Sequence, residues 1–353
     1  MPNELSASAA ELRAIVVKAS KGERLTALEA ERAFNAMMTG EASPVHAASL
    51  LTALRVRGET PAEVAGGVRA LRRAMVPVPA SAPETLVDTC GTGGGRLTTF
   101  NISTAAAILA AGAGARIAKH GNRSFSSRCG SADVLEALGV KIELPPAAMA
   151  EVLDEAGIVF MFAPLLHPAM RHLGPVRAEL GFATIMNLLG PLTNPAGARR
   201  QVVGVSDPAL LELIAGALRE LGHERALVVH GEPGIDELSP LGTTEVIELR
   251  DGELRRYQLD AVRDFGWERF APEGLAGGGP EENAAVIEAV LAGRGPAVAR
   301  AAVTLNAGAA LYLAGVTESV ADGVAEAERA LDAGAGTERL QMLREATKRV
   351  ARA

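Results

Sequence analysis

The sequence predicts an α/β protein: a small all-helical N-terminal domain, then a larger α/β domain whose mixed, mainly parallel sheet is flanked by helices. Three observations carry this. Residues 1–75 hold repeated helix start and stop signals. From residue 86 onward, short apolar runs alternate with helical stretches, the pattern of parallel strands joined by crossover helices. A pair of runs around Arg250-Asp251-Gly252 reads as a hairpin, which makes the sheet mixed.

In chain order, Thr26 with Glu29 and Thr60 with Glu63 fit capping boxes, the second with Pro61 at the first helical position. Ser43-Pro44 is a further helix start, Gly40 and Gly58 sit where helices end, and Leu12, Ile15, Val16 and Ala19 recur at helical spacing. The Pro-broken stretch 76–83 reads as a linker. Strands are expected at 86–90, 116–118, 140–144, 158–163, 201–205 and 226–229, and helices at 103–111, 131–138, 146–156 and 208–221. The segment 167–195 breaks the alternation; it is helical with Gly and Pro interruptions, and is expected to cross back to the N-terminal helices. The division is therefore residues 1–75, joined by a return segment 167–198, against 84–166 and 199–353.

Composition excludes several classes. Apolar residues at 48% and charged residues at 22% are near the globular average, so disorder is not the dominant state. The formal charge of −7 argues against a non-specific nucleic-acid binder, and aromatics at 3% against a base-stacking platform. Cys90 and Cys129 form no metal-spaced set, and two thiols in 353 residues suit a reducing compartment. Residues 1–25 carry Glu4, Glu11 and Glu23 with no unbroken apolar run, and no charge-free window of about 20 residues is apolar enough to span a bilayer. The expectation is a cytoplasmic protein without a membrane partner.

The chemistry concentrates in four places. Gly91-Thr92-Gly93-Gly94-Gly95 follows the first strand, where glycines let backbone N–H groups face phosphate oxygens or simply make a tight turn. Asn101-Ile102-Ser103-Thr104 opens an alanine-rich helix, placing hydroxyls at a helix N-terminus as anion ligands or as caps. Lys119-His120-Gly121-Asn122-Arg123-Ser124 follows the second strand, either as a basic binding loop or as a solvated one. Ser126-Ser127-Arg128 and Gly130-Ser131 lead into the next helix. Asp236-Glu237 follows His230-Gly231 at a strand end and suits Mg²⁺, although paired acids also occur on plain surfaces. His167, Arg171 and Arg177 lie in the return segment, where an Arg offers a fork to a carboxylate or to a structural acid.

These runs together resemble the anthranilate phosphoribosyltransferase family. The resemblance rests on 88–94, Thr99-Phe100-Asn101-Ile102-Ser103-Thr104, 119–124, Gly130-Ser131, Gly190-Pro191-Leu192-Thr193-Asn194-Pro195, His230-Gly231 with Asp236-Glu237, and 277–283, in order along nearly the whole chain. It implies a helical domain and an α/β domain with the site between them, and transfer of phosphoribosyl from phosphoribosyl pyrophosphate (PRPP) to anthranilate in tryptophan biosynthesis. It implies PRPP contacts at Gly91, Gly94, Gly95, Thr99, Asn101, Ile102, Ser103, Thr104, Lys119 and Ser131. Anthranilate contacts are implied at Gly91, Asn122 and Arg177, with His120 and His167 nearby; Mg²⁺ is implied at Ser103, Asp236 and Glu237. A homodimer through the helical domain is implied as well.

The chain departs from the family pattern at Gly95, where Asp is usual, at Arg96-Leu97-Thr98, and at Ala183 and Met186 in place of Arg and Phe. Arg96 offers a positive charge to the pyrophosphate in exchange. Two rivals share the scaffold. A nucleoside phosphorylase needs a different phosphate loop, which 101–104 and 119–124 oppose. A non-catalytic nucleic-acid-binding paralogue is favoured by Gly95 and opposed by the charge of −7 and by Asp236-Glu237.

Overall fold

The computed structural model describes residues 8–124 and 128–352. Four helices come first: α1 (Ala9–Ser20), α2 (Ala27–Met38), α3 (Pro44–Arg57) and α4 (Pro61–Ala74). Ser8, Thr26, Ser43 and Thr60 each accept a hydrogen bond from the backbone N–H three residues on, and Thr26 and Thr60 complete capping boxes with Glu29 and Glu63. Glu63 is buried and reaches further. It accepts from the Leu25 N–H at 2.8 Å and pairs with Arg57, tying the α1–α2 turn and the end of α3 to the start of α4.

The remaining chain alternates as expected: β1 (Leu86–Gly91), α5 (Ile102–Gly112), β2 (Arg116–Gly121), α6 (Ser131–Ala137), α7 (Pro146–Ala156), β3 (Ile158–Phe162), α8 (Ala163–Leu166), α9 (Gly174–Leu180), α10 (Met186–Leu189), β4 (Arg200–Gly204), α11 (Leu210–Glu220), β5 (Arg225–Gly231), β6 (Thr243–Arg250), β7 (Glu253–Asp260), α12 (Ala261–Phe265), α13 (Pro280–Leu291), α14 (Ala297–Ala314), α15 (Val320–Asp332) and α16 (Ala335–Val350). The strands form one sheet in the order β3-β2-β1-β4-β5-β6-β7, parallel from β3 to β5 and antiparallel for β6 and β7. The sheet is mixed, as the sequence predicts.

One expected strand is absent. Residues 140–144 join no ladder. Val140, Ile142 and Leu144 are buried in alternation with exposed Lys141 and Glu143, and the Lys141 N–H donates to Thr347 Oγ1 on α16 at 3.2 Å. Alternation reports a chain with one wet face; here that chain lies along a helix and not beside a strand.

Two cores flank the sheet. One holds side chains of β1–β3, α5, α7 and α13–α16, with α14 at its centre. By length and composition α14 is apolar enough to cross a membrane, yet 83% of it is buried inside the protein. In β4–β6 the inward positions alternate: Val202, Leu227 and Val246 join this core, whereas Val203, Val228 and Ile247 join the other. That second core contains α11, all of α1–α4, and Leu173, Val176, Ile185, Met186, Leu189 and Leu192 of the return segment. The segment does cross back to the N-terminal helices, and α4 packs on α11, which lies against β5 and β6 on the second face of the sheet.

His223 sits at this junction, buried after α11, with neither ring nitrogen bonded to any described residue. Burial, followed by the nearby Arg72 charge, lowers its pKa from 6.5 to about 3. An imidazole whose folded pKa is depressed contributes stability above its unfolded value and loses it as pH falls, because the unfolded chain takes up the proton first. The acid limb of the stability curve between pH 6 and 4 should therefore lose about 1.4 kcal/mol per pH unit of its slope in His223→Leu. Denaturant titrations at several pH values check this; unchanged slopes would remove His223 as a source of acid sensitivity.

Candidate active site

The C-terminal ends of β1, β2, β4 and β5 converge, where an open α/β sheet places its ligand site. The glycine loop leaves β1 here. Gly93 and Gly94 adopt φ of +69° and +80°, open only to residues without a Cβ penalty. The Thr92 N–H donates to Gly204 O, the Gly93 N–H to Asp236 Oδ2 at 2.8 Å, and the Arg96 N–H to Gly234 O. The N–H groups of Gly94 and Gly95 have no partner among the described residues, so they are the free donors of the loop.

Asp236 is held by close approach. A Cβ on Gly91 would lie 2.3 Å from its Oδ2, and one on Gly204 only 1.7 Å from its backbone O. Both strands must therefore end in glycine for Asp236 to lie across them. Glu237, beside it, is deeply enclosed yet keeps part of its surface open. That enclosure, and next the Asp236 charge, push its carboxyl up to about 8. Its Oε1 accepts from the Ser103 N–H at 3.2 Å.

This last bond revises an expectation. At the start of α5 the Ile102 N–H donates to Phe100 O, the Thr104 N–H to Asn101 O, and the Ser103 N–H to Glu237. The acceptor at this helix N-terminus is the chain's own Glu237 carboxyl, 134 residues downstream. What α5 leaves available are hydroxyls: Ser103 Oγ lies 3.3 Å from Lys119 Nζ, and Thr104 Oγ1 is buried with no partner among the described residues. Ile102 is a core side chain. The Asn101 side chain is engaged structurally, donating to Cys129 O and accepting from Asn283 Nδ2 at 2.9 Å. Thr99 forms an isolated bridge with Ala276.

The expected basic loop divides in three. Lys119 turns inward and is buried; its Nζ donates to Thr89 O and Ser103 Oγ. Asn122 is exposed, its side chain accepting from the Arg123 N–H, while its carbonyl takes Ser131 Oγ at 3.3 Å. Arg123 is a correction to the binding-loop reading: its guanidinium pairs with Asp133 and Glu136 on α6 and is not free for a ligand. Ser126 and Ser127 lie outside the described residues.

His120, also buried, meets His167 with 3.2 Å between their Nε2 atoms. Burial first, then the neighbouring His167 and Lys119, lower the His120 pKa to about 3, and burial lowers that of His167 to about 4, so both rings are neutral at neutral pH. Arg177, on α9, is partly buried, which lowers its pKa; it makes no ion pair or side-chain hydrogen bond among the described residues. Its fork is open. His230 is fixed by an Nδ1 contact of 2.8 Å with Val205 O.

Sequence reasoning assigned no role to the group that joins these parts. Asp88, buried in β1, accepts from the His120 N–H at 3.2 Å and from Asn194 Nδ2 at 2.8 Å, with Gln201 Nε2 at 3.5 Å. Burial raises its carboxyl to about 6 against these bonds and the Lys119 charge. Asn194 also donates to Ala118 O, and Gln201 and Cys90 both donate to Pro191 O, so the return segment is latched to the sheet. The available signal was a charged residue inside the apolar run 86–90.

Among the described residues, no cluster of three or more His, Cys, Asp and Glu side chains forms a metal cage. Two carboxylates and the Ser103 hydroxyl make an all-oxygen donor set that fits Mg²⁺, an ion that keeps water or substrate oxygens as its other ligands. Enclosure and the Asp236 charge oppose ionisation of Glu237, and a bound cation would favour it.

Comparison with known proteins is consistent along the chain. Residues 13–75 match the glycosyl transferase family helical bundle domain and residues 83–337 the glycosyl transferase family a/b domain. A curated anthranilate phosphoribosyltransferase of Rubrobacter xylanophilus is 52% identical over 96% of this chain and 98% of its own length. The chain belongs to the anthranilate phosphoribosyltransferase family. The crystal structure of the Thermus thermophilus anthranilate phosphoribosyltransferase is 48% identical, with a TM-score of 0.88, over 95% of this chain and 99% of that one. The Saccharomyces cerevisiae enzyme in complex with PRPP and Mg is 26% identical, with a TM-score of 0.86, over 97% and 99%.

Within the anthranilate phosphoribosyltransferase frame, the departures acquire surroundings. A Cβ at Gly95 would lie 3.6 Å from Asp236 Oδ1, so an Asp there would add a third carboxylate to two already adjacent. Arg96 is exposed, with its stem against Gly234. Ala183 is exposed and Met186 is buried in the second core.

The latch gives a direct test. In Asp88→Asn an amide NH₂ replaces an acceptor and faces the Asn194 and Gln201 donors, leaving buried N–H groups unpaired. Stability should fall by about 1–3 kcal/mol. Chemical denaturation measures it, and an unchanged midpoint would show that the latch contributes nothing.

Proposed function

We propose that this protein transfers the phosphoribosyl group of PRPP to the amine of anthranilate with the help of Mg²⁺, giving N-(5-phosphoribosyl)anthranilate and pyrophosphate, a step of tryptophan biosynthesis. The observation that carries the reading is the meeting, at one sheet edge, of free loop amides, a hydroxyl and a carboxylate pair, with an unpaired arginine on the segment latched across them.

The Gly94 and Gly95 amides hold diphosphate oxygens, and Lys119 and Ser103 stand behind them. Asp236, Glu237 and Ser103 would hold Mg²⁺, which when bound neutralises charge on a departing pyrophosphate. Arg177 holds the anthranilate carboxylate with two parallel hydrogen bonds, and Asn122 lies on the amine side. The aromatic amine is largely unprotonated at neutral pH and attacks without prior deprotonation. Its lone pair forms the bond to the sugar carbon as the carbon–oxygen bond breaks towards pyrophosphate, through a transition state of oxocarbenium character. Catalysis is then chiefly positioning and charge stabilisation.

The helical domain supports a homodimer through that domain. Of the eight large exposed apolar side chains among the described residues, four belong to it: Val17, Leu28, Val45 and Val56.

Loss of anthranilate fluorescence that requires both PRPP and Mg²⁺ is the expected result, and its absence would overturn the reading. Asp236→Asn with Glu237→Gln should lower turnover at least a hundredfold at saturating Mg²⁺ while circular dichroism stays unchanged. Arg177→Ala should cost about 2–5 kcal/mol in kcat/KM for anthranilate. The KM for PRPP and the Tm should barely move, and Arg177→Lys should recover only part of the loss. A large Tm drop with an unaltered anthranilate KM would make Arg177 a structural residue.

A further inference from the structure

We propose that Asp133 is the positioning residue for Asn122: it closes the neck of the loop between β2 and α6 and so fixes the backbone that carries Asn122. The proposal rests on the functional reading above, in which Asn122 meets anthranilate, and adds a residue with no other part in it. Asp133 stands in the first turn of α6, where an acid that reaches back to the N-cap N–H makes an ordinary capping box. Asp133 Oδ2 does accept the Gly130 N–H, at 2.8 Å. The same oxygen also takes the Ser124 N–H at 3.2 Å, and Oδ1 takes the Arg123 guanidinium at 2.9 Å. Capping the helix needs only the first of these bonds. The other two reach across the loop to its opposite end.

The backbone at the neck is correspondingly tight. A Cβ on Gly130 would lie 2.3 Å from Ser124 N, 2.6 Å from Arg123 C and 2.8 Å from Asn122 O. The φ of Gly130, −87°, is open to any residue, so it is close approach and not backbone conformation that demands glycine there. Asn122 is held within this neck from both sides. Its carbonyl accepts the Ala132 N–H at 3.2 Å and Ser131 Oγ at 3.3 Å, and its side-chain Oδ1 accepts the Arg123 N–H at 2.7 Å. Ser131 and Ala132 open α6, and Arg123 is the residue whose side chain Asp133 grips. One carboxylate with three donors thus sets the frame on which Asn122 stands.

The neck lies at the site. Asn122 follows Gly121, the last residue of β2, and the buried Lys119 is on the same strand. At the far end of the loop, Asn101 Nδ2 donates to Cys129 O at 3.2 Å and Cys129 Sγ donates to Asn101 Oδ1 at 3.3 Å, which ties the loop to the start of α5. Arg177 is on a different element, α9, and grips the anthranilate carboxylate without this loop. With the neck open the substrate is still held, but its amine is no longer aimed at the sugar carbon. The loss then falls on kcat and spares KM.

Asp133→Ala should lower kcat about thirtyfold, with both KM values within about threefold of wild type. A double-mutant cycle separates positioning from general support of the fold, because a residue that acts through Asn122 has nothing to act on once Asn122 is truncated. In an Asn122→Ala background, Asp133→Ala should therefore cost no more than about twofold in kcat. The same factor in both backgrounds overturns the proposal, as does an unaltered kcat in folded Asp133→Ala. Glu136→Gln cuts the other half of the Arg123 ion pair and leaves the neck bonds in place, so its kcat should match wild type. A loss there as large as that of Asp133→Ala would move the role to the Arg123 charge and overturn the assignment. Should Asp133→Ala fail to fold, Asp133→Asn enters the same cycle and decides. Its amide sets a donor against one of the three donors now satisfied, and it should lose about tenfold in kcat alone and no more than about twofold beside Asn122→Ala. Wild-type protein without PRPP-dependent anthranilate consumption overturns the functional reading instead, so the two failures are distinguishable.

Discussion

A lysine ammonium buried at the end of a central strand must find acceptors and opposing charge within the fold, because water cannot supply them. Lys119 finds Thr89 O and Ser103 Oγ, and its field reaches Asp88 on one side and Glu237 on the other. Asp88 in turn fixes the His120 backbone and Asn194, and Glu237 caps α5. One enclosed cation thus links the sheet edge, the first helix of the α/β domain and the return segment. The parts that meet substrate are arranged by side chains that do not.

The same arrangement explains why so much polarity is enclosed without being orphaned. Each carboxylate at this edge accepts backbone N–H groups: Asp236 from Gly93, Glu237 from Ser103, Asp88 from His120. A carboxylate held by amide donors is oriented in advance, so little rearrangement is needed when a cation or substrate arrives. The Thr104 hydroxyl is the exception, buried with no partner among the described residues at the end of the helix that points into the site.

Local signals were read correctly from the sequence because their causes are local. Thr26–Glu29 and Thr60–Glu63 are four-residue motifs, and the structure contains both boxes. The mixed sheet followed from apolar spacing and from the Asp251-Gly252 turn. What failed depended on distant partners. Alternation at 140–144 could not say whether a strand or a helix lies alongside. The α5 N-terminus looked vacant because Glu237 is remote in sequence, and Arg123 looked free because its acids lie on the following helix. The Lys119, Ser103 and Asp236-Glu237 runs were legible as chemistry, Arg177 chiefly through family resemblance. The Asp88 latch and the histidine pair needed three dimensions, since His120 and His167 are joined only by the turn of the return segment onto β2.

The second core also bears on how the chain is made. The N-terminal helices leave the ribosome first, but the apolar surface they pack against, on α9–α11, begins to be synthesised only after 99 further residues. Until then α1–α4 have each other but not α9–α11. Their inward faces must wait exposed, or be held by a chaperone, through the synthesis of β1 to β3. Contacts so separated along the chain slow the final search. They also make the end state a single cooperative body, in which the first helices made are among the last to be sealed.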